Sequence, residues 1–237
     1  WNYTDEGGTH TGSTATYTIP HANQCNTCHA AADQEAGEAP IGLKVRHLNR
    51  DMTYNGVVQN QLTYLCSIGV VSSCPSNPAN SEKVVPWTDT TKTTEERARA
   101  YLEINCAHCH NPHGGGKNSG LYLDSIREVG RQYGICKTPV AAGRGSGSLQ
   151  YDIVPRDAAS SITVFRMNSN EPDIKMPRVG RSVIHTEGLA LVTQWINQLS
   201  AARFPDCAAP SSSSTPTPPD GGSGVAPTLP SLPSAPL

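Results

Sequence analysis

Two short stretches of the sequence carry the same reactive side chains at the same spacing. Gln24 to Ala30 reads QCNTCHA and Ile104 to Pro112 reads INCAHCHNP, so each holds two cysteines three positions apart with a histidine directly after the second. On a helical turn, positions i and i+3 share a face and i+4 lies beside them. Two thiols placed in this way can form thioethers with the two vinyl groups of one haem while the histidine reaches its iron, which is why C-x-x-C-H marks covalent c-type haem attachment. The spacing therefore assigns Cys25, Cys28 and His29 to one haem and Cys106, Cys109 and His110 to another. Two other uses of the same residues fit less well. A redox-active C-x-x-C has no need of the histidine and sits in a βαβ context absent here, and a zinc site drawing on both pairs leaves His29 and His110 without a role.

The sixth position on each iron separates electron transfer from chemistry at an open metal. The chain has three methionines. Met176 lies in IKMPRVG, ten residues before the last amphipathic segment, and from Thr93 to Leu199 the chain resembles the ordinary single-haem cytochrome c layout. In that layout a helix runs into C-x-x-C-H and a loop methionine precedes the helix that packs back across the first. The resemblance makes His110 and Met176 the axial pair of the second haem. For the first haem, Met52 in NRDMTYNG is the preferred distal ligand, His47 in KVRHLNR is next, and His21 also lies within reach along the chain. His10 is a minor candidate for a neighbouring chain's haem. His108, a spacer inside the second motif, is expected to face solvent, and Met167 to lie in the core.

Four cysteines remain, and Cys66, Cys74, Cys136 and Cys207 can pair in three ways. Local closure favours Cys66 with Cys74, leaving Cys136 with Cys207; free thiols are the alternative in a reducing setting. Widely spaced cysteines suit an oxidising compartment, and a chain opening at Trp1 fits a mature protein whose export signal has been removed, with no terminal cysteine to suggest a lipid anchor. The glycines after His113 and in GRGSGS at 143–148 lack a P-loop lysine, so they are read as letting backbone approach a haem edge.

The elements that must position these groups are mostly helical. Residues 1–20 read as an extended arm. Asn55 to Val70 places Val58, Leu62, Leu65 and Ile68 at helical spacing, weakened at its end by Gly69. Pro, Ser and Asn then dominate to Pro86. Thr93 and Glu96 form a capping box that opens a helix leading into Cys106. Residues 111–160 read as loops wrapped around something, and HTEGLALVTQWINQL, capped by Thr186, is a strong amphipathic helix with Leu189, Val192, Trp195 or Ile196, and Leu199 on one face. From Ala208 the composition turns to Pro, Ser, Thr and Gly, an extended tail that at ~3.1 Å per residue reaches roughly 90 Å, enough to cross a neighbouring subunit. The organisation expected is an arm at 1–20, a first haem unit at 21–85, a second, class I-like cytochrome c unit at 86–207, and a tail at 208–237 as an assembly arm.

Composition supports this and excludes other classes. Aromatic residues make up only 5% of the chain and Phe occurs twice, too little bulk for a conventional core, so something else must fill it. A formal charge of −2 without a basic cluster argues against nucleic acid, and no apolar run approaches the ~20 residues of a membrane span.

The stretches HANQCNTCH, HLNRD, RARAYLEINCAHCHNP, KTPVAAGRGSG, YDIVPRDAASSI and KMPRVGRSVIHTEGLALVTQWI together resemble a family of bacterial diheme c-type cytochromes often found beside parallel β-helix-repeat proteins. The resemblance spans roughly residues 17–200 and leaves out the tail. It implies haem attachment at both motifs and Met176 as a distal ligand, without a ligand for the first haem. The fold expected is mainly α: two cytochrome c-like units with long irregular loops, each built around a covalent haem. The function expected is outer-sphere electron transfer by an exported protein, extracellular or at the cell surface, otherwise periplasmic. Its partners would be redox proteins or extracellular acceptors, and copies of itself in a homo-oligomer or filament. One rival is a diheme peroxidase with an open first iron and His47, Glu35 or Glu38 as acid–base groups. The other is a sheath or binding subunit in which haems act as staples for a small core.

Overall fold

The computed structural model describes residues 2–5, 8–11, 19–29, 40–140 and 142–207. Residues 208–237, to which the expectation of self-assembly is attached, lie outside the described residues, as do Glu35 and Glu38. Residues Trp1–Cys207 form one compact unit.

The chain opens with an antiparallel hairpin, β1 (Asn2–Asp5) and β2 (Gly8–Thr11), in the region read as an extended arm. Helix α1 (Ala22–His29) carries the first motif to its last residue. A short helix α2 (Val45–Leu48) leads into a second hairpin, β3 (Asp51–Tyr54) and β4 (Val57–Asn60), and then helix α3 (Gln61–Ser67). The single helix expected over 55–70 is therefore half strand. Asn55 and Gly56 both have positive φ, 51° and 79°, the conformation that closes a two-residue hairpin turn with the twist of its strands. Asp51 then pairs with Asn60, whose side chain turns around to cap α3 by accepting from the Thr63 amide at 2.9 Å. Gly69, at φ 76°, ends α3 as the sequence suggests.

Two long helices frame the rest. Helix α4 (Thr94–Asn105) has the full capping box: the Thr93 hydroxyl accepts from the Glu96 amide and the Glu96 carboxylate accepts from the Thr93 amide at 2.9 Å. Helix α6 (Thr186–Asn197) begins one residue earlier than Thr186 suggests, because His185 occupies the cap position and Thr186 is already helical. Helix α6 packs on α4. At this crossing Gly188 meets Tyr101: a Cβ at Gly188 would lie 2.1 Å from the tyrosine ring, so only glycine lets the helices approach this far here. The core comprises Ala98, Tyr101 and Leu102 of α4, Leu191, Val192, Trp195 and Ile196 of α6, and loop residues such as Leu123, Tyr133 and Ile153. Met167, at the end of the short helix α5 (Ile162–Met167), belongs to this cluster.

Between α4 and α6 the chain is irregular, with 3₁₀ turns at Lys117–Ser119, Arg131–Tyr133 and Gly143–Ser146. Two disulfides hold the irregular parts, Cys66–Cys74 and Cys136–Cys207, as local closure suggests. Among the described residues, Leu48 and Leu62 are the buried apolar side chains before residue 86.

Candidate functional site

The second motif begins where α4 ends. Cys106 caps the helix, and the turn continues through the Cys109 amide to the Cys106 carbonyl at 3.1 Å and the His110 amide to the same carbonyl at 2.9 Å. The thiols of Cys106 and Cys109 thus project from consecutive ledges of one turn. None of Cys25, Cys28, Cys106 and Cys109 is disulfide-bonded, although the other four cysteines are. Burial pushes the Cys106 thiol up to about 12, and burial together with the neighbouring Cys28 thiol does the same to Cys109. Both side chains are therefore neutral thiols at ordinary pH.

His110 is held from behind. Its Nδ1 lies 3.3 Å from the Leu121 carbonyl and 3.3 Å from the Ser119 hydroxyl. Burial lowers its pKa to about 4, so the imidazole is neutral, and an Nδ1 proton shared with the Leu121 carbonyl leaves Nε2 as the lone-pair nitrogen. The loop after the motif is pressed onto it: the Gly116 amide donates to the Cys109 carbonyl at 2.9 Å, and a Cβ at Gly114 would lie 2.4 Å from that oxygen. These glycines allow close backbone approach, here to the motif itself.

In front of these groups lies a cavity of about 530 Å³, a size common for small-molecule and cofactor sites. Cys106, Cys109 and His110 line it, and so does Met176 from the loop before α6. Apolar Leu121, Leu123, Ile162 and Met167 form much of the remaining wall. Two arginines that the sequence reading did not single out, Arg166 and Arg178, also reach this cavity. Burial, and then the positive charge of Arg178, lowers the pKa of Arg166, which the Asp152 carboxylate only partly offsets. Arg166 and Arg178 share this lining with the carboxylates of Asp152 and Asp173, and Asp152 is itself paired with Lys137 at 3.0 Å, so the two arginines are the guanidinium groups the cavity can offer to an anionic group. The sequence signal for them was weak, since Arg166 sits in SSITVFRM and Arg178 in KMPRVG without a recurring pattern.

The first motif meets the second at its thiols. Cys28 lines the same cavity. The Cys28 Sγ, the Cys109 Sγ and a ring nitrogen of His108 all lie within 4.8 Å of one another. His108 is thus half-buried at the junction of the motifs, with Lys44 and His29 among the charges it feels, where the sequence placed it in solvent.

The expected distal ligands of the first motif sit in other settings. Met52 is half-buried in β3, paired opposite Gln59, rather than in a loop. His21 is exposed and accepts from the Asn23 amide at the start of α1. His47 belongs to a charge cluster on α4: the Glu103 carboxylate, 1% exposed, takes Lys44 Nζ at 2.8 Å, Arg46 Nη2 at 2.7 Å and the Ser125 amide at 2.7 Å. His47 Nε2 lies 3.2 Å from the same carboxylate, near enough to feel its charge but off-line for a hydrogen bond. Burial raises the Glu103 pKa, but its three partners outweigh that and hold it at about 2. For His47, burial is the larger influence and lowers its pKa against the pull of Glu103.

No helix among the described residues is long and apolar enough to cross a membrane. Comparison of the chain with protein-family models, with curated proteins and with solved structures finds no match.

Proposed function

We propose that the chain is an exported diheme c-type cytochrome that carries electrons by outer-sphere transfer. The observation that carries this reading is one cavity lined by two thiols outside any disulfide, a neutral histidine anchored through Nδ1, and Met176. A haem supplies reversible one-electron exchange at its iron. The chain's own residues do the rest. Cys106 and Cys109 would hold the group covalently, His110 and Met176 would ligate its iron, and Leu121, Leu123, Ile162 and Met167 would cover its apolar face. Arg166 and Arg178 suit its carboxylates. Cys25, Cys28 and His29 would hold the other group, the first haem, at the end of α1.

With Met176 and His110 as its two protein ligands, a haem iron would have a raised potential and no open site, which favours a carrier over a peroxidase here. Of the acid–base groups a peroxidase would need at the first site, His47 lies 3.2 Å from the buried Glu103 carboxylate. Two disulfides fit an oxidising compartment. The two units would each follow the cytochrome c layout, with partners that are redox proteins or extracellular acceptors. Assembly into a filament rests on the composition and reach of the tail alone.

The test is the absorption spectrum of the reduced protein before and after carbon monoxide, with haem quantified in the same sample. Two haems per chain and an unchanged spectrum are expected. A shift in half of the haem would move the reading to an enzyme with one open iron, and a protein without covalent haem would end it.

A further inference from the structure

The two motifs meet, and the residue between them is His108. Three side chains converge there: Cys28 from α1, Cys109 from the second motif, and His108, whose ring nitrogen lies within 4.8 Å of both sulfurs. Residues two apart on a helical turn point about 200° away from each other. The hydrogen bonds of the Cys109 and His110 amides to the Cys106 carbonyl show that 106–110 is such a turn. His110 is tied to Leu121 on one side of this turn, leaving His108 to reach toward Cys28 on the other.

We propose that His108 is the sixth ligand of the iron held at the first motif, so that one five-residue turn supplies an imidazole to each of the two haems. The inference rests on the haem reading of both motifs. His108 is placed beside Cys28 of the first motif, while His47 Nε2 lies 3.2 Å from the Glu103 carboxylate, the His21 ring accepts from the Asn23 amide, and Met52 is paired in a strand. The consequence is chemical asymmetry. The first iron would have two nitrogen ligands, and the second a nitrogen and a sulfur, which gives the second the higher potential. It also places the two groups on one short rigid segment, so electrons would pass between them across the Cys28–Cys109 junction.

The experiment uses the intact, haem-loaded protein. First, haem per chain is measured by pyridine haemochrome and zinc by elemental analysis. Two haems uphold the underlying reading, while stoichiometric zinc without covalent haem would show Cys28, Cys109 and His108 as a metal site and end both proposals. Near-infrared magnetic circular dichroism of the oxidised wild type then counts axial sulfurs: one sulfur-ligated and one bis-nitrogen haem are expected, and two sulfur-ligated haems overturn the inference whatever any variant does. In His108→Ala, carbon monoxide should bind half of the reduced haem, and His108→Met should add a second sulfur-ligated signal. If instead Met52→Ala or His47→Ala opens the first iron, or His108→Ala keeps two haems and stays inert to the gas, His108 is not the ligand.

Discussion

The two C-x-x-C-H motifs share a spacing but not a setting. The second closes a capped helix, backs onto a core shared by α4 and α6, and faces a cavity with Met176 in its lining. The first ends an eight-residue helix, and among the described residues before 86 the buried apolar side chains are only Leu48 and Leu62. The polypeptide builds the second site by its own packing, while the first leans on the second through Cys28. The difference teaches that one spacing can sit in two settings, and that burial decides how far each site is formed by the polypeptide itself.

Removing the attachment thiols should break this comparison most sharply. Cys106→Ala/Cys109→Ala should halve the haem content and, by emptying a cavity inside the main core, cost on the order of 5 kcal/mol, the scale of a whole domain's stability. Cys25→Ala/Cys28→Ala should halve the haem equally but leave cooperative unfolding of the α4–α6 core, followed by near-ultraviolet circular dichroism. Equal losses of stability from the two pairs would show the sites to be equally preformed.

The disulfides give the next contrast. Cys136–Cys207 closes a loop with a sequence separation of 71 and ties the irregular region to the end of the second half. Cys66–Cys74 spans 8. By chain entropy the first should contribute about 4 kcal/mol and the second about 2.5 kcal/mol. Urea denaturation of the two double-alanine variants checks the order, and a reversed order would show the 66–74 loop to be the more critical brace.

Glu103 joins the halves, since a carboxylate on α4 gathers Lys44 and Arg46 from around α2. Glu103→Gln leaves those cations without their counter-charge and should cost about 3 kcal/mol. The pH dependence has a definite sign. The folded pKa, about 2, lies below the ordinary 4.5, so the stabilisation is present above about pH 4.5 and is lost as the pH falls toward 2. Acid titration followed by tryptophan fluorescence should show the wild type losing stability through that window and the variant missing that component.

Gly188→Ala tests the helix crossing and should have the smallest effect. Its Cβ would meet the Tyr101 ring, which also holds His185 Nδ1 at 3.0 Å through its hydroxyl. The cost should be about 2 kcal/mol, read from a lower Tm with haem content unchanged. A neutral outcome would mean that the α4–α6 packing yields more easily than a preformed site requires.

Much of this was legible along the chain. The capping box at Thr93 and Glu96, the amphipathic face of α6, and both disulfides depend on neighbours in sequence or on simple pairing, and the structure contains each. The hairpin at 51–60 was misread because Val58 and Leu62 satisfy a helical spacing, while the Asn55–Gly56 turn, a local signal, had the stronger hold on the backbone. His108 was misplaced because a spacer faces away from its own motif, and nothing in sequence says that another motif waits there.

The sequence alone determined the reactive inventory: two sets of thiols and imidazole at fixed spacing, since covalent order along one helical turn dictates which side chains share a face. Only the tertiary structure decided what those sets meet. The closeness of Cys28 to Cys109, Met176 and two arginines on one cavity with His110, and His47 drawn to Glu103 all join residues far apart in the chain. Those contacts are set by packing and by the need to compensate buried charge, neither of which a local pattern records.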